Sequence, residues 1–331
     1  MKQNIALSVV SVFLSLLLIE AGARILQPIG YQPFFDTSSE EWKHDSADLP
    51  TLIKASRAMG YELIPRRGSG GYKVNSLGIF DRERTIEKKA SEFRIIALGD
   101  SITGGGGMTY VKFIEDALKD KTGHIEIWNC GVPGYNTAQE LAFLQQRCIN
   151  FKPDLVLLQF CLNDFQVTPV VIKDKGRPVV YWPRNDAAGF INPLLFKYSY
   201  LYRRIIFFLY FRENFDEKEK CYRIVKESLT RMRDLLAERG VSFFVAVFPY
   251  MKDPYNEQDN TRYAYIREII RDLHITSLDL TPTFLNAKVT VGELSIGDGL
   301  HPNVKGHELA ANVILKEMFK RNLLPSGIQK E

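Results

Sequence analysis

One serine, one histidine and one aspartate in this chain are spaced so that they could work as a proton relay. Ser101 follows Gly99-Asp100 at the end of the apolar run Phe93–Asp100 and precedes Ile102, Thr103 and the glycines Gly104–Gly107. A serine hydroxyl is a poor nucleophile until a base takes its proton. His301, in Asp298-Gly-Leu-His301-Pro302-Asn303, is the candidate base. Asp298, in the same loop, is placed to hold the other ring nitrogen and to stabilise the imidazolium that forms. Attack on a carbonyl creates an oxyanion, which needs donors aimed at it. The candidates are the backbone N–H of Ser101, the backbone N–H of Gly134 and the side-chain amide of Asn163. Gly134 lies in Asn129-Cys-Gly131-Val-Pro-Gly134-Tyr-Asn136, and Asn163 in Cys161-Leu-Asn163-Asp164. Without a Cβ, Gly134 lets a ligand approach its backbone closely.

Apolar runs with strand character precede three of these motifs. Phe93–Asp100, Ile125–Gly131, Asp154–Leu162, Val241–Pro249 and Ile275–Leu280 read as strands, and Asp154–Leu162 is apolar enough to be covered on both faces. Segments of helical spacing separate them, including Tyr110–Lys121, Glu217–Arg239, Thr261–Leu273 and a closing helix over Val304–Arg321. Thr137-Ala-Gln-Glu140 reads as a capping box that opens a helix running to about Ile149. Strands alternating with helices give a parallel sheet with right-handed crossovers. In such a sheet the loops at the carboxyl ends of the strands form the functional crevice. Three strand ends and one late loop thus bring a hydroxyl, an amide, an imidazole and a carboxylate to one edge. Each motif alone is common; chance does not account for four in order at the right strand ends. The G-x-S-x-G elbow of another serine-hydrolase fold is absent, and no Gly-Lys-Ser/Thr follows Gly104–Gly107 to make a P-loop.

These blocks resemble those of the SGNH/GDSL hydrolase superfamily. Ser101, Gly134, Asn163 and His301 fall on its serine, glycine, asparagine and histidine, with Asp298 as the triad acid. The resemblance runs from about Phe93 to Asn322. It implies a three-layer α/β/α, flavodoxin-like fold with a five-stranded parallel sheet, and ester hydrolysis without a metal or organic cofactor. The apolar amino terminus and VNSLGIFDRE (Val74–Glu83) resemble secreted or membrane-tethered bacterial members. The chain departs from the family in two places. Cys161 stands where the third block usually begins with glycine, which adds bulk beside the oxyanion hole. Gly104–Gly107 makes the loop after the nucleophile unusually glycine-rich.

Composition sets the outer bounds. The 331 residues are 45% hydrophobic, 25% charged and 12% aromatic, which excludes collagen-like and wholly disordered chains. With 43 basic and 39 acidic residues the net charge is +4, too small and scattered to indicate nucleic-acid binding. Four cysteines (Cys130, Cys148, Cys161, Cys221) make neither a disulfide scaffold nor a zinc spacing. Cys130 and Cys161 are expected as buried free thiols, Asp164 as a brace for its loop, and His307, beside Lys305, on the surface. A mean hydropathy of −0.14 excludes a polytopic membrane protein but not one short anchor.

Residues 1–26 are read as an N-terminal signal anchor and membrane helix. Ile5–Ile19 carries no charge but spans only about 22 Å as a helix, against about 30 Å of hydrocarbon. Continuing to Leu26, with Glu20 and Arg24 reaching the outer interface, makes up the length. A cleaved signal, with Ala21-Gly22-Ala23 at the cleavage site, and a buried soluble helix are the alternatives. Residues 27–92 read as a linker and small β-rich cap, and residues 93–325 as the hydrolase domain with an insertion at 165–216. The insertion holds the run Tyr198–Arg212, either a helix packed into the domain or a lid, acyl-chain wall or lipid-touching surface. The expectation is a membrane-anchored or secreted extracytoplasmic serine esterase for O-acyl groups, foremost O-acetyl on a glycan. Its partners would be an acylated glycan or lipid ester and, through the N-terminal helix, the membrane; nucleic acid is not among them, and the oligomeric state is not set. The alternatives are a lipid esterase or lysophospholipase, an acyltransferase using the same acyl-enzyme, and a non-enzymatic glycan-binding envelope protein.

Overall fold

The computed structural model describes residues 2–25 and 52–325, apart from residues 57, 70–71, 106 and 123 and most of 167–216. Helix α1 (Lys2–Ile25) comes first. Two small antiparallel pairs follow, β1 (Ile53–Ser56) with β2 (Gly60–Leu63) and β3 (Gly68–Ser69) with β4 (Tyr72–Lys73). The central sheet is built from β5 (Phe93–Gly99), β6 (Ile125–Gly131), β7 (Leu155–Phe160), β10 (Ser242–Val247) and β11 (Thr276–Asp279). A hairpin of β8 (Val170–Asp174) and β9 (Arg177–Tyr181) lies between β7 and β10 in sequence and beside β1 and β2 in space.

The five sheet strands run parallel in the order β11-β10-β7-β5-β6. The chain leaves β5 outward to β6, then returns to the other side of β5 to place β7. The crossovers therefore diverge at the β5–β7 boundary and leave a crevice at its carboxyl edge. All six residues of β7 are buried, which is why its sequence is a continuous apolar run. Alternate residues of β5 feed two separate cores. Ile95 and Ala97 join Ile114 and Leu118 of α3 (Tyr110–Thr122) and Ala310 and Ile314 of α8 (Val304–Lys320), which follows the short α7 (Thr281–Leu285). Ile96 and Leu98 face the other way, toward Leu144 of α4 (Thr137–Gln146), Leu229 of α5 (Glu217–Ala237) and Ile266 of α6 (Glu257–Asp272). This is the expected three-layer α/β/α arrangement. The β1–β2 hairpin adds Ile53, Tyr61 and Leu63 to the second core.

The capping box sits one residue earlier than the sequence suggested. Asn136 is the N-cap of α4, with Gln139 reaching back to it. Both registers fit the pattern; the one chosen sends Glu140 into the interior. The α-helix stops at Gln146, and a short 3-10 turn, Cys148–Phe151, completes the segment.

The expected membrane helix is present as a helix, but among the described residues none is long and apolar enough to cross a membrane. The charges near its end are engaged with other groups of the protein. Glu20 pairs with Arg24 at 2.9 Å and accepts from Ser199 Oγ and the N–H groups of Tyr200 and Leu201, each at 2.8 Å. The linker at 27–50 lies outside the described residues. So does most of Tyr198–Arg212, of which Ser199–Tyr202 and Ile205 are described.

Between β5 and α3 a single helical turn, α2 (Ser101–Gly104), packs backbone to backbone on the end of β6. A Cβ on Gly131 would sit 2.3 Å from Gly104 N and 2.6 Å from Thr103 Cβ. Gly131→Ala should therefore push α2 off the sheet. We expect a loss of about 1–3 kcal/mol, the usual range for overpacking, read as a lower Tm and accompanied by loss of activity. An alanine at Gly22, which would meet nothing within 4 Å, is the control.

Candidate active site

Ser101 is the first residue of α2, immediately past β5. Asp100 caps that turn, accepting the Ile102 N–H at 2.8 Å. The Ser101 hydroxyl meets His301 Nε2 at 2.7 Å. On the far side of the ring His301 Nδ1 is bonded to Asp298 Oδ2. Asp298 Oδ1 takes the backbone N–H of Leu300 at 2.9 Å and of His301 at 2.8 Å. Burial alone would raise the Asp298 pKa, but these bonds outweigh it and bring the value down to about 2. The carboxylate is therefore charged and favours the ring proton on Nδ1, which makes Nε2 the acceptor for the Ser101 hydroxyl.

The loop that carries this pair is fastened at its base. Ser295 and Pro302 form a β-bridge, and Asn303 N–H donates to Leu294 O at 2.8 Å. The Asn303 side chain caps α8 through Gly306 N–H and donates to the carbonyls of Glu293 and Ser295 at 2.9 and 3.1 Å. His307, expected on the surface, is instead buried against Tyr110, whose N–H it accepts at 3.3 Å. Burial, then the nearby His301, lowers its pKa to about 4, so it is neutral near pH 7.

Asn163 lies in the 3-10 turn Leu162–Phe165 that follows β7. Its Nδ2 donates to Asp100 Oδ2 at 2.6 Å, and its Oδ1 is met by the Cys161 thiol. The orientation of the amide is thus set from both ends, with one N–H unclaimed among the described residues. Gly134 stands on the loop after β6, at a φ of +77° that favours glycine. Its loop reaches the site because Gly131 and Pro133 pack against Gly104 of the Ser101 turn. The structure thus joins Ser101, His301 and Asp298 directly, links Asn163 to them through Asp100, and brings the Gly134 loop alongside.

Several residues here were not singled out from sequence. Asp100 carries the junction between the Ser101 turn and Asn163; its place in the Gly-Asp-Ser tripeptide was the available signal. Gln159 Oε1 takes the Asp100 N–H at 3.1 Å and Thr103 Oγ1 at 3.0 Å. Asp164 braces the turn as expected, accepting from Cys161 N–H and Thr137 Oγ1 at 2.8 Å each. Behind it, Glu140 is buried, and among the described residues no donor meets either carboxyl oxygen. Cys130 and Cys161 are buried free thiols. Among the described residues no cluster of three or more His, Cys, Asp or Glu side chains could hold a metal ion.

Burial, then the charges of Asp164 and Asp100, pushes the Glu140 carboxyl well above its ordinary 4.5. Asp164 is raised by burial and by Asp100 in the same way, so the pair keeps a proton that the unfolded chain releases. The stability this confers is complete below the unfolded value and is lost as pH rises toward the raised folded value. Glu140→Gln, neutral at every pH, should flatten that decline. Urea unfolding at about pH 5 and about pH 8 should show wild type losing stability relative to the variant. Parallel losses would mean that Glu140 is ionised in the fold.

The pattern of the GDSL-like lipase/acylhydrolase family matches residues 97–309. Among solved structures, the chain is similar to an acetylxylan esterase from Geobacillus stearothermophilus, at 17% identity over 70% of this chain and 96% of that one, with a TM-score of 0.46. It is also similar to a lipase/acylhydrolase from Enterococcus faecalis, at 18% identity over 69% of this chain and 96% of that one, with a TM-score of 0.46. No curated protein matches. Strand ends, sheet order and the matched span lead to one conclusion: the chain belongs to the GDSL-like lipase/acylhydrolase family, whose members hydrolyse ester bonds.

Proposed function

We propose that the protein is a serine esterase that removes short O-acyl groups, foremost O-acetyl on a glycan, through a covalent acyl-enzyme. The observation that carries this reading is the continuous chain Ser101 Oγ–His301 Nε2, His301 Nδ1–Asp298 Oδ2. His301 Nε2 takes the Ser101 proton as Oγ attacks the acyl carbonyl, and Asp298 balances the imidazolium. The oxyanion is received by the N–H groups of Ser101 and Gly134 and the free N–H of Asn163. Collapse expels the alcohol, which leaves with the proton from His301. Water then attacks acyl-Ser101 with His301 again as base, releasing the acid and restoring the hydroxyl.

Cys161 favours a small acyl group. Its buried thiol fills space beside Asn163 and Asp100 that a glycine would leave open. We place the catalytic domain outside the cytoplasm, attached through α1 or released after cleavage. In support, Val12, Phe13, Leu14, Leu16, Leu17, Leu18 and Ile19 are all exposed, leaving this part of α1 apolar around its whole circumference. Such a surface needs lipid or protein cover. A C-terminal alkaline phosphatase fusion should be active; activity from a cytoplasmic reporter at that position would refute the placement.

Ser101→Ala should fold and lose all turnover, and a fluorophosphonate should label Ser101 alone in wild type. Labelling elsewhere would sink the assignment. Asn163→Ala should lower kcat by about 10²–10³ with little change in KM. Across nitrophenyl esters from acetyl to octanoyl, kcat/KM should be highest at acetyl or butyryl. A lipid esterase would instead gain about fourfold per methylene, the equivalent of about 0.8 kcal/mol per buried CH₂.

A further inference from the structure

Gly134 is the third residue of a turn, Val132–Tyr135, closed by the Tyr135 N–H on the Val132 carbonyl at 3.0 Å. Proline at the second position and a φ of +77° at the third are the marks of a type II turn. The central peptide of such a turn takes no part in the closing bond. Its two polar groups, Pro133 C=O and Gly134 N–H, must find partners outside the turn. They share one rigid trans plane and point in opposite directions. Whatever holds the carbonyl therefore also aims the N–H.

The carbonyl is held by a residue far away in sequence. The Tyr61 hydroxyl, from β2, donates to Pro133 O at 2.5 Å. Gly134 N–H has no acceptor among the described residues. Tyr61 is fully buried, and its ring meets that of Tyr135 edge-on at 5.2 Å. The Tyr135 hydroxyl returns a bond to Tyr61 O at 2.6 Å, and Gln139 Nε2 donates to Met59 O at 2.7 Å. Burial raises the Tyr61 pKa, so the phenol remains a donor at any working pH. A Pro-Gly pair does not lock the central peptide by itself, because glycine tolerates either sign of φ and the plane can flip. A flip would turn the Gly134 N–H away from the oxyanion.

We propose that Tyr61 is a positioning residue for the oxyanion hole: its hydroxyl fixes the Pro133–Gly134 peptide so that the Gly134 N–H stays aimed at the reacting carbonyl. This rests on the reading of Gly134 as an oxyanion donor. It also gives Tyr61, which lies outside the family-matched residues 97–309, a part in the site.

Tyr61→Phe removes one oxygen and keeps the packing. In the full chain, kcat for nitrophenyl acetate should fall about tenfold, the effect of one hydrogen bond on the aimed fraction, with KM within about twofold. Inhibition by an acetyl-mimicking trifluoromethyl ketone, which forms the oxyanion, should weaken by the same factor. Glu62→Gln is the control: it loosens the same hairpin where Glu62 pairs with Arg147, but leaves the Tyr61 hydroxyl in place. Its kcat should stay within about twofold of wild type. An equal loss in both variants would mark general loosening of the hairpin and overturn the proposal. An unchanged kcat in Tyr61→Phe, with the expected loss in Asn163→Ala, would overturn the role of Tyr61 alone. Unchanged kcat in both of those variants would overturn the oxyanion-hole reading itself.

Discussion

The Asp100 carboxylate has no exposure to water and is met by donors from two strand ends at once. Oδ1 takes the Ile102 N–H, and Oδ2 takes the Asn163 amide at 2.6 Å, with the Cys161 sulfur 3.3 Å away. A buried carboxylate is tolerated only when such donors replace its hydration. Each donor is therefore held where the carboxylate needs it. The turn that carries Ser101 and the turn that carries Asn163 become one unit, although about sixty residues separate them. The parallel sheet makes this possible by setting β5 beside β7 with their carboxyl ends level.

The same crowding explains the neutral acid behind the site. With Asp100 already in place, Asp164 and Glu140 cannot both ionise out of water. Asp164 holds the better donors, the Cys161 N–H and the Thr137 hydroxyl, so Glu140 is the natural seat of the proton. The polar groups at the strand ends thus form a graded set. Asp298, partly open to water and ringed by N–H groups, is firmly charged, whereas Glu140, buried in the first turn of α4, is not. Distance from solvent and the supply of donors decide which carboxyl does which task.

The sheet strands were legible because their apolar runs are bounded by turn residues, with β7 buried on both faces; β6 coincides with its expected run, Ile125–Gly131. Ser101, His301 and Asp298 were legible because strand ends and one late loop must converge in this topology. His307 was misplaced by attention to its neighbour Lys305. The helical spacing His307, Ala310, Ala311, Ile314, Met318 already put it on the apolar face. The α4 cap was ambiguous because Asn136–Gln139 and Thr137–Glu140 fit the same pattern one residue apart. Tyr61 carried no local signal. Its bond to Pro133 spans 72 positions and exists only once the hairpin has packed on the second core. Arg94 is similar: its charge looks like surface, yet it is buried over the Trp128 ring at 4.2 Å and donates to the Ile86 carbonyl.

Glu20 shows how tertiary context changes the meaning of a charge. In sequence it only interrupts an apolar run. In the structure its carboxylate takes the N–H groups of Tyr200 and Leu201 and the Ser199 hydroxyl, where a short helical stretch begins. Unpaired N–H groups at a helix start attract a carboxylate on both hydrogen-bonding and dipole grounds. Arg24 completes the contact by pairing with Glu20 and lying 5.0 Å from the centre of the Tyr200 ring. The last turn of α1 is therefore tied to the insertion, and its large exposed apolar side chains end at Ile19 apart from the terminal Ile25. The segment that Glu20 holds is part of the same insertion as the β8–β9 hairpin, which packs beside β1 and β2. Two regions outside the regular α/β rhythm, the amino-terminal 2–63 and the 165–216 insertion, thus meet each other twice. One of those meetings involves the hairpin that holds the Pro133 carbonyl.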